Sequence, residues 1–199
     1  NYTTMSPLTF SILPRTVLSG IAGAIIGIDK QKNPEYFGNC FIAQKIKSRI
    51  KKICIPHNLL KTTSSKHFSR FENHKPTNIE FLKDLQYRVF FSSTDNSIYK
   101  MLKNQLESHK SVYTVSIGSA QCLANYSFAG EFNAVLQKGS AKVDIHSVIP
   151  AGQASAINYN DLELFLESLP NRMNNERIVT EYREFLFELS GRPVCCSVP

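Results

Sequence analysis

From Ile42 to Arg49 the chain alternates strictly. Ile42, Gln44, Ile46 and Ser48 fall on one side of an extended backbone, and Lys45, Lys47 and Arg49 fall on the other. A period of two belongs to a β-strand, and this pattern predicts a half-buried strand whose outer face is cationic. After Lys51 and Lys52 the apolar positions change parity, to Ile53 and Ile55, which predicts a bulge or strand break near Lys51. Any fold for this chain has to cover one face of that strand and leave a row of positive charge in water.

The charge is concentrated around the same place. The net charge is +7. Between Lys45 and Lys75 stand nine basic residues (Lys45, Lys47, Arg49, Lys51, Lys52, Lys61, Lys66, Arg70, Lys75) against one acid, Glu72, while the rest of the chain is nearly neutral. Solvated faces normally mix signs. An excess confined to one stretch points to a polyanion, and a nucleic acid backbone is the first expectation. Residues 56–78 are short of aliphatic side chains and read as a long loop or an extended hairpin. Within them Phe68 and Phe71 sit among Lys66, His67 and Arg70. Such an arrangement either stacks aromatic rings on unpaired bases while the cations hold phosphate, or anchors the loop to the core.

Elsewhere the pattern is that of an ordinary mixed domain. Pro14 opens a helix in which Val17, Leu18, Ile21, Ile25 and Ile28 share a face. Gly20, Gly23 and Gly27 each weaken that helix, which implies a close backbone neighbour; the spacing matches no phosphate-cradling fingerprint. A strand is predicted at Tyr87–Phe91, then a helix capped by Thr94 or Asp95 with Ile98, Met101, Leu102 and Leu106 on one face. Val112–Ile117 and Leu123–Phe132 read as strands about a turn at Gly118. The C-terminal third is predicted to hold strands at Val143–Ile149 and Glu184–Leu189, with a short helix at Asp161–Leu169 between them. The order helix, strand, strand, helix, strand is that of a ferredoxin-like βαββαβ unit whose first strand lies upstream of Asn1.

Cys40, Cys54, Cys122, Cys195 and Cys196 form no zinc spacing with the histidines and no disulfide framework, so reduced cytoplasmic thiols and no metal or other cofactor are expected. The longest apolar run, Val17 to Ile28, falls short of the roughly 20 residues that span a bilayer, and no membrane partner is expected. His146 lies in an apolar strand and is expected in the core.

Several phrases, taken in order, resemble one family. They are Leu13-Pro14-Arg15-Thr16 before the glycine-rich helix, Glu80-Phe81-Leu82-Lys83-Asp84 with Tyr87-Arg88-Val89-Phe90-Phe91, and Ser111-Val112-Tyr113-Thr114. Ile117-Gly118 with Cys122-Leu123-Ala124, Ile145-His146-Ser147-Val148-Ile149-Pro150 and Arg177-Ile178-Val179-Thr180-Glu181-Tyr182 complete the set. Together they are similar to CRISPR-associated Cas protein family 5, of the RAMP superfamily, in its type I-B form. The resemblance runs from about Asn1 to Val194. It implies an α+β fold: a ferredoxin-like (RRM-like) RAMP domain over 1–132 with a thumb-like excursion at about 56–78, followed by a small β-rich extension over 133–199.

The same resemblance implies a subunit of a Cascade surveillance complex that grips the 5′ handle of the crRNA. Its implied partners are the large subunit, the first backbone subunit and target DNA near the flanking motif. The residues so assigned to RNA are Arg15, Lys45, Lys47, Arg49, Lys51, Lys52, His57, Lys61, Lys66, Phe68 and Arg70. The type I-C branch of the family cuts its own precursor RNA, and His57 with Lys61, or His67 with Lys66, would be the general base and cation for such a reaction. The type I-B phrasing favours a chain that holds RNA without cutting it.

Overall fold

The structure, a computed structural model, describes residues 7–60, 74–136 and 142–197. The glycine-rich segment forms α1 (Arg15–Ile26), flanked by Pro14, whose carbonyl accepts from Val17 N and Leu18 N at 2.9 and 3.1 Å. Leu18, Ala22, Ile25 and Ile26 are buried, and Val17, Ile21 and Ile28 line the edge of that face. The three glycines differ in their surroundings. Gly27 ends the helix at φ +82°, a conformation open to glycine, and its N–H reaches the Gly23 carbonyl at 2.8 Å. Gly23 lies directly against the side chains of Asn33 and Phe37 and Gly27 against that of Val112, whereas Gly20 has nothing within 4 Å. Close packing therefore bears on two of them and involves side chains rather than the expected backbone.

A short helix, α2 (Asn33–Phe37), buries Phe37 edge-on to Phe91 at 5.9 Å between ring centres. Next come β1 (Phe41–Ile46), β2 (Lys51–Leu60), β3 (His74–Lys83) and β4 (Tyr87–Ser92). β1 pairs antiparallel with β4 from Phe41–Ser92 to Ile46–Tyr87, and β2 pairs with β3 from Lys51–Lys83 to Leu60–His74. The four strands therefore form one long ribbon whose inner end lies in the domain and whose β2–β3 arm is a separate two-stranded sheet. Between the two pairings the first side of the ribbon has four residues, Lys47 to Ile50, and the second has three, Asp84 to Gln86. That one-residue excess is the expected change of phase. The hairpin thus begins at Lys51 rather than Pro56, and Ile53 and Ile55 lie on it with more than a third of their surface exposed.

Helix α3 (Asn96–Glu107) follows, with Asp95 Oδ1 accepting from Ser97 N at 2.8 Å as its cap. Ile98 and Leu102 join the α1 residues, Phe37 and Cys40 in a core packed on the inner face of β1–β4. The two strands expected after α3 do not form. Ser116 and Leu123 make an isolated bridge; Val112 N and Tyr113 N instead donate to the Ile25 and Ala24 carbonyls at 3.1 and 3.0 Å. The segment satisfies the last turn of α1 instead of extending a sheet.

In the C-terminal part, β5 (Lys142–Ile145) pairs with β9 (Val194–Ser197), and β6 (Ile149–Pro150), β8 (Val179–Glu188) and β7 (Leu164–Met173) form a sheet in the order β6–β8–β7. β7 replaces the expected helix. Leu162, Phe165, Leu166 and Leu169 fit a helical stripe equally well, but Phe165 to Leu169 pair residue by residue with Phe187 to Arg183. The result is a mixed α/β fold whose sheets are all antiparallel among the described residues. Within the same residues, no helix is long and apolar enough to cross a membrane.

One cluster, Ile12, Ile46, Ile50, Leu169 and Phe187, is shared by the β1–β4 layer and the β7–β8 sheet. The chain after β8 holds that junction. Glu188, 2 % exposed, accepts from Ser190 N and Arg192 N at 2.7 and 2.9 Å, and from the Arg192 guanidinium at 3.0 and 3.1 Å. In the turn so fixed, Gly191 sits at φ +75° with its Cα against the Ile46 carbonyl. Ile50 N reaches the Leu189 carbonyl at 2.9 Å alongside.

Replacing Gly191 with alanine should cost at least ~2 kcal/mol, because strain at positive φ is added to a backbone clash. Gly152→Ala, at φ +81° with nothing within 4 Å, should cost only about 1 kcal/mol in the same urea titration. Burial by itself would raise the Glu188 carboxyl, but hydrogen bonds from Arg192 and Ser190 and the Arg192 charge hold it below its ordinary value. A carboxyl held low contributes its full stability above the unfolded pKa, about 4.3, and loses it as the pH falls through the lower folded value. Glu188→Gln should therefore melt with less dependence on pH below about 4.3 than the parent.

Candidate nucleic-acid interface

The alternation read from the sequence holds in β1. Gln44 and Ile46 are buried, Ile42 faces the core, and the opposite positions turn outward. Gln44 is satisfied inside the fold: its amide accepts from Leu13 N at 3.3 Å and donates to the Leu13 carbonyl at 2.6 Å. Register sets what shares the outer face. Lys45 stands directly opposite Arg88, Ala43 opposite Phe90, and Phe41 opposite Ser92. Past the end of β1, Lys47 N donates to the Gln86 carbonyl at 2.8 Å, and at the root of the hairpin Lys51 faces Lys83.

The structure divides the candidate cations into two groups. Lys47, Lys51, Lys83 and Arg88 are exposed and make no ion pair with an acid among the described residues; the Lys45 ammonium lies 3.2 Å from His146 Nδ1. Like charges directly opposite one another destabilise a strand pair, and the rungs Lys45–Arg88 and Lys51–Lys83 are both of that kind. The second group is already tied. Arg49 donates to Glu163 Oε2 at 2.6 Å and to Ser190 Oγ at 3.0 Å, and Lys52 pairs with Glu80 at 3.1 Å while donating to the Thr9 carbonyl.

Arg15 belongs with neither group. Its Nη2 donates to the carbonyls of Phe37, Gly38 and Cys40 at 2.9, 3.2 and 2.7 Å, fastening the exit of α2 to the start of α1. Burial first, and then the charge of Arg172, lower its guanidinium pKa. His57 is half-buried on β2, with its ring 5.5 Å from that of Phe81 and its Nδ1 3.1 Å from the Ile55 carbonyl. Lys61, Lys66, Phe68 and Arg70, together with His67, lie outside the described residues.

His146 corrects an expectation. It is exposed, because Lys142, Asp144 and His146 continue the outward parity of β5, and it accepts a hydrogen bond from Lys45. Arg88, Lys83, Phe41 and Phe90 were absent from the sequence-derived set. The alternation of Arg88 and Phe90 against Val89 and Phe91 was visible, but only the β1–β4 register sets them beside Lys45 and Ala43. No group of three or more His, Cys, Asp or Glu able to hold a metal occurs among the described residues.

No family model matches this chain, and no curated protein sequence matches it. Among solved structures, a chain of a CRISPR RNA-guided surveillance complex superposes with a TM-score of 0.54 at 11 % identity. The match covers 93 % of this chain and 81 % of that one. The likeness is one of fold.

Arg15→Met should lower stability by about 2–3 kcal/mol through the loss of charge-assisted hydrogen bonds. Thermal melting checks this, and Lys47→Met, whose ammonium makes no ion pair among the described residues, should melt within about 0.5 kcal/mol of the parent.

Proposed function

We propose that this chain is a non-catalytic RNA-binding subunit of a type I-B Cascade complex, the RAMP subunit of Cas family 5, holding the 5′ handle of the crRNA. The observation that carries the reading is the run of cations along one ribbon: Lys45, Lys47 and Lys51 on its first side, Arg88 and Lys83 across from them. Two of its rungs set positive charge against positive charge, an arrangement that a phosphate backbone relieves. The shared fold with a chain of a CRISPR RNA-guided surveillance complex supports it.

In this reading the helix–strand–strand–helix layer is the RRM-like RAMP domain, and the β2–β3 hairpin is the thumb. Arg15 positions the loop after α2 behind the interface, and Arg49 and Lys52 brace the hairpin root. The large subunit, the first backbone subunit and target DNA near the flanking motif are the remaining partners, in a cytoplasmic particle. Spacer sequence is read by base pairing, which suits a groove blind to sequence. His57, leaning on Phe81, serves the hairpin's structure in this reading rather than RNA cleavage.

Affinity for single-stranded handle RNA should fall with salt. Five neutralised phosphates give a slope of about −3.5 in log K against log[salt] on a single strand. Lys47→Glu with Lys51→Glu should flatten that slope without lowering the melting temperature. A salt-independent affinity, or no binding in dilute buffer, would sink the reading. Repeat RNA incubated with the chain in EDTA should stay intact; specific cutting lost in His57→Ala would replace the scaffold with a nuclease.

A further inference from the structure

The outer face of β1–β4 carries more than charge. Phe41 is 72 % exposed and Phe90 is 42 % exposed. Exposed apolar residues scattered singly need no explanation. These two are not scattered. Phe41 pairs with Ser92 and Phe90 with Ala43, so the rings are diagonal neighbours on one face, roughly 7–8 Å apart at the backbone. Their cross-strand partners are the small side chains Ser92 and Ala43, and both phenylalanines stay exposed. The next rung of the same face is Lys45 with Arg88, two residues further along, or roughly 6.8 Å at 3.4 Å per residue. Aromatic and cationic groups are thus spaced as the base and the phosphate of one nucleotide are.

We propose that this face is a stacking shelf for unpaired bases of a single-stranded RNA, with Phe90 and Phe41 each receiving a base while Arg88 and Lys45 hold phosphate. The proposal rests on the RNA-binding reading above and names the part of the ligand that the face recognises. A base inside a duplex has both faces covered by its neighbours and has none to offer a ring; an unpaired one does, and every base has a π-face, so the contact tolerates any sequence. The pairing of exposed rings with facing cations favours RNA over a protein occupant: an acidic side chain meets a cation as a phosphate does, but a nucleotide brings a phosphate and a flat ring together. A subunit docked flat on this face would have to desolvate two facing cations, Lys45 and Arg88, neither of which makes an ion pair with an acid among the described residues. A phosphate supplies the missing counter-charge. His146, accepting from Lys45, holds that ammonium at the edge of the shelf.

The chain contains no tryptophan, which makes the test direct. In Phe90→Trp the single indole should lose emission on saturation with a uridine octamer and should not lose it with inorganic polyphosphate, which carries the charge without bases. In fluorescence anisotropy with the labelled octamer, Phe90→Ala and Phe41→Ala should each weaken binding roughly ten-fold, a value inside the range measured for base–aromatic stacking, with the salt slope unchanged. Arg88→Gln should instead reduce the slope by about 0.7. Should Phe90→Ala lower the melting temperature, Phe41→Ala, on the more exposed ring, carries the test alone.

Parental affinity in both phenylalanine variants, with Arg88→Gln still weakened, would overturn the shelf and leave RNA binding standing. Equal quenching by octamer and polyphosphate would also overturn it. Failure of the parent chain to bind the octamer at low salt would remove the RNA reading itself, and the shelf with it.

Discussion

The approach of Gly191 to the Ile46 carbonyl, beside the hydrogen bond from Ile50 N to the Leu189 carbonyl, joins the two parts of the chain. Side-chain burial alone would not fix it. A turn must arrive at the end of β1 with no Cβ in the way, and the Glu188 carboxylate, with four hydrogen bonds from Ser190 and Arg192, holds it there. The cluster of Ile12, Ile46, Ile50, Leu169 and Phe187 then closes around the junction. With Ile46 fixed, the parity of β1 is fixed, and the cations of its other face have to point to water.

Two kinds of positive charge result, and they differ in what surrounds them. Arg49 spans from the end of β1 to Glu163 and Ser190, and Lys52 ties the hairpin root to Glu80 and Thr9. Both strengthen the support of the ribbon. Lys45, Lys47, Lys51, Lys83 and Arg88 have no such tie to an acid among the described residues, and the register sets four of them against one another. A count of lysines and arginines treats both kinds alike; the hydrogen bonds separate them.

Much of the architecture was legible in the sequence because it follows from period and caps. The inner parity of β1, the cap at Asp95, part of the face of α1 and a change of phase near Lys51 all came from local pattern. The failures share a cause. Leu162 to Leu169 satisfies helical and strand spacing together, and pairing with β8 decides in favour of the strand. Val112 and Tyr113 look like strand residues, but their N–H groups are taken by α1 carbonyls. In the candidate site, Lys45 and Lys47 could be placed from sequence, while Arg88, Lys83, Phe41 and Phe90 became visible only through the register. Arg15 was singled out by resemblance, and its guanidinium turned out to clamp three carbonyls.

The unequal count of residues where the ribbon leaves the domain, four on one side and three on the other, also constrains how such a chain can vary. Rungs can be gained or lost in pairs beyond Ile55 and Ile79, outside the ties that Lys52 and Glu80 make to Thr9, with little effect on the domain. A single residue gained or lost between Lys47 and Ile50 would turn the arm over, taking Ile53 and Phe81 to the side now held by Lys52 and Leu82. Length in the arm is therefore a free variable, and parity at its root is not.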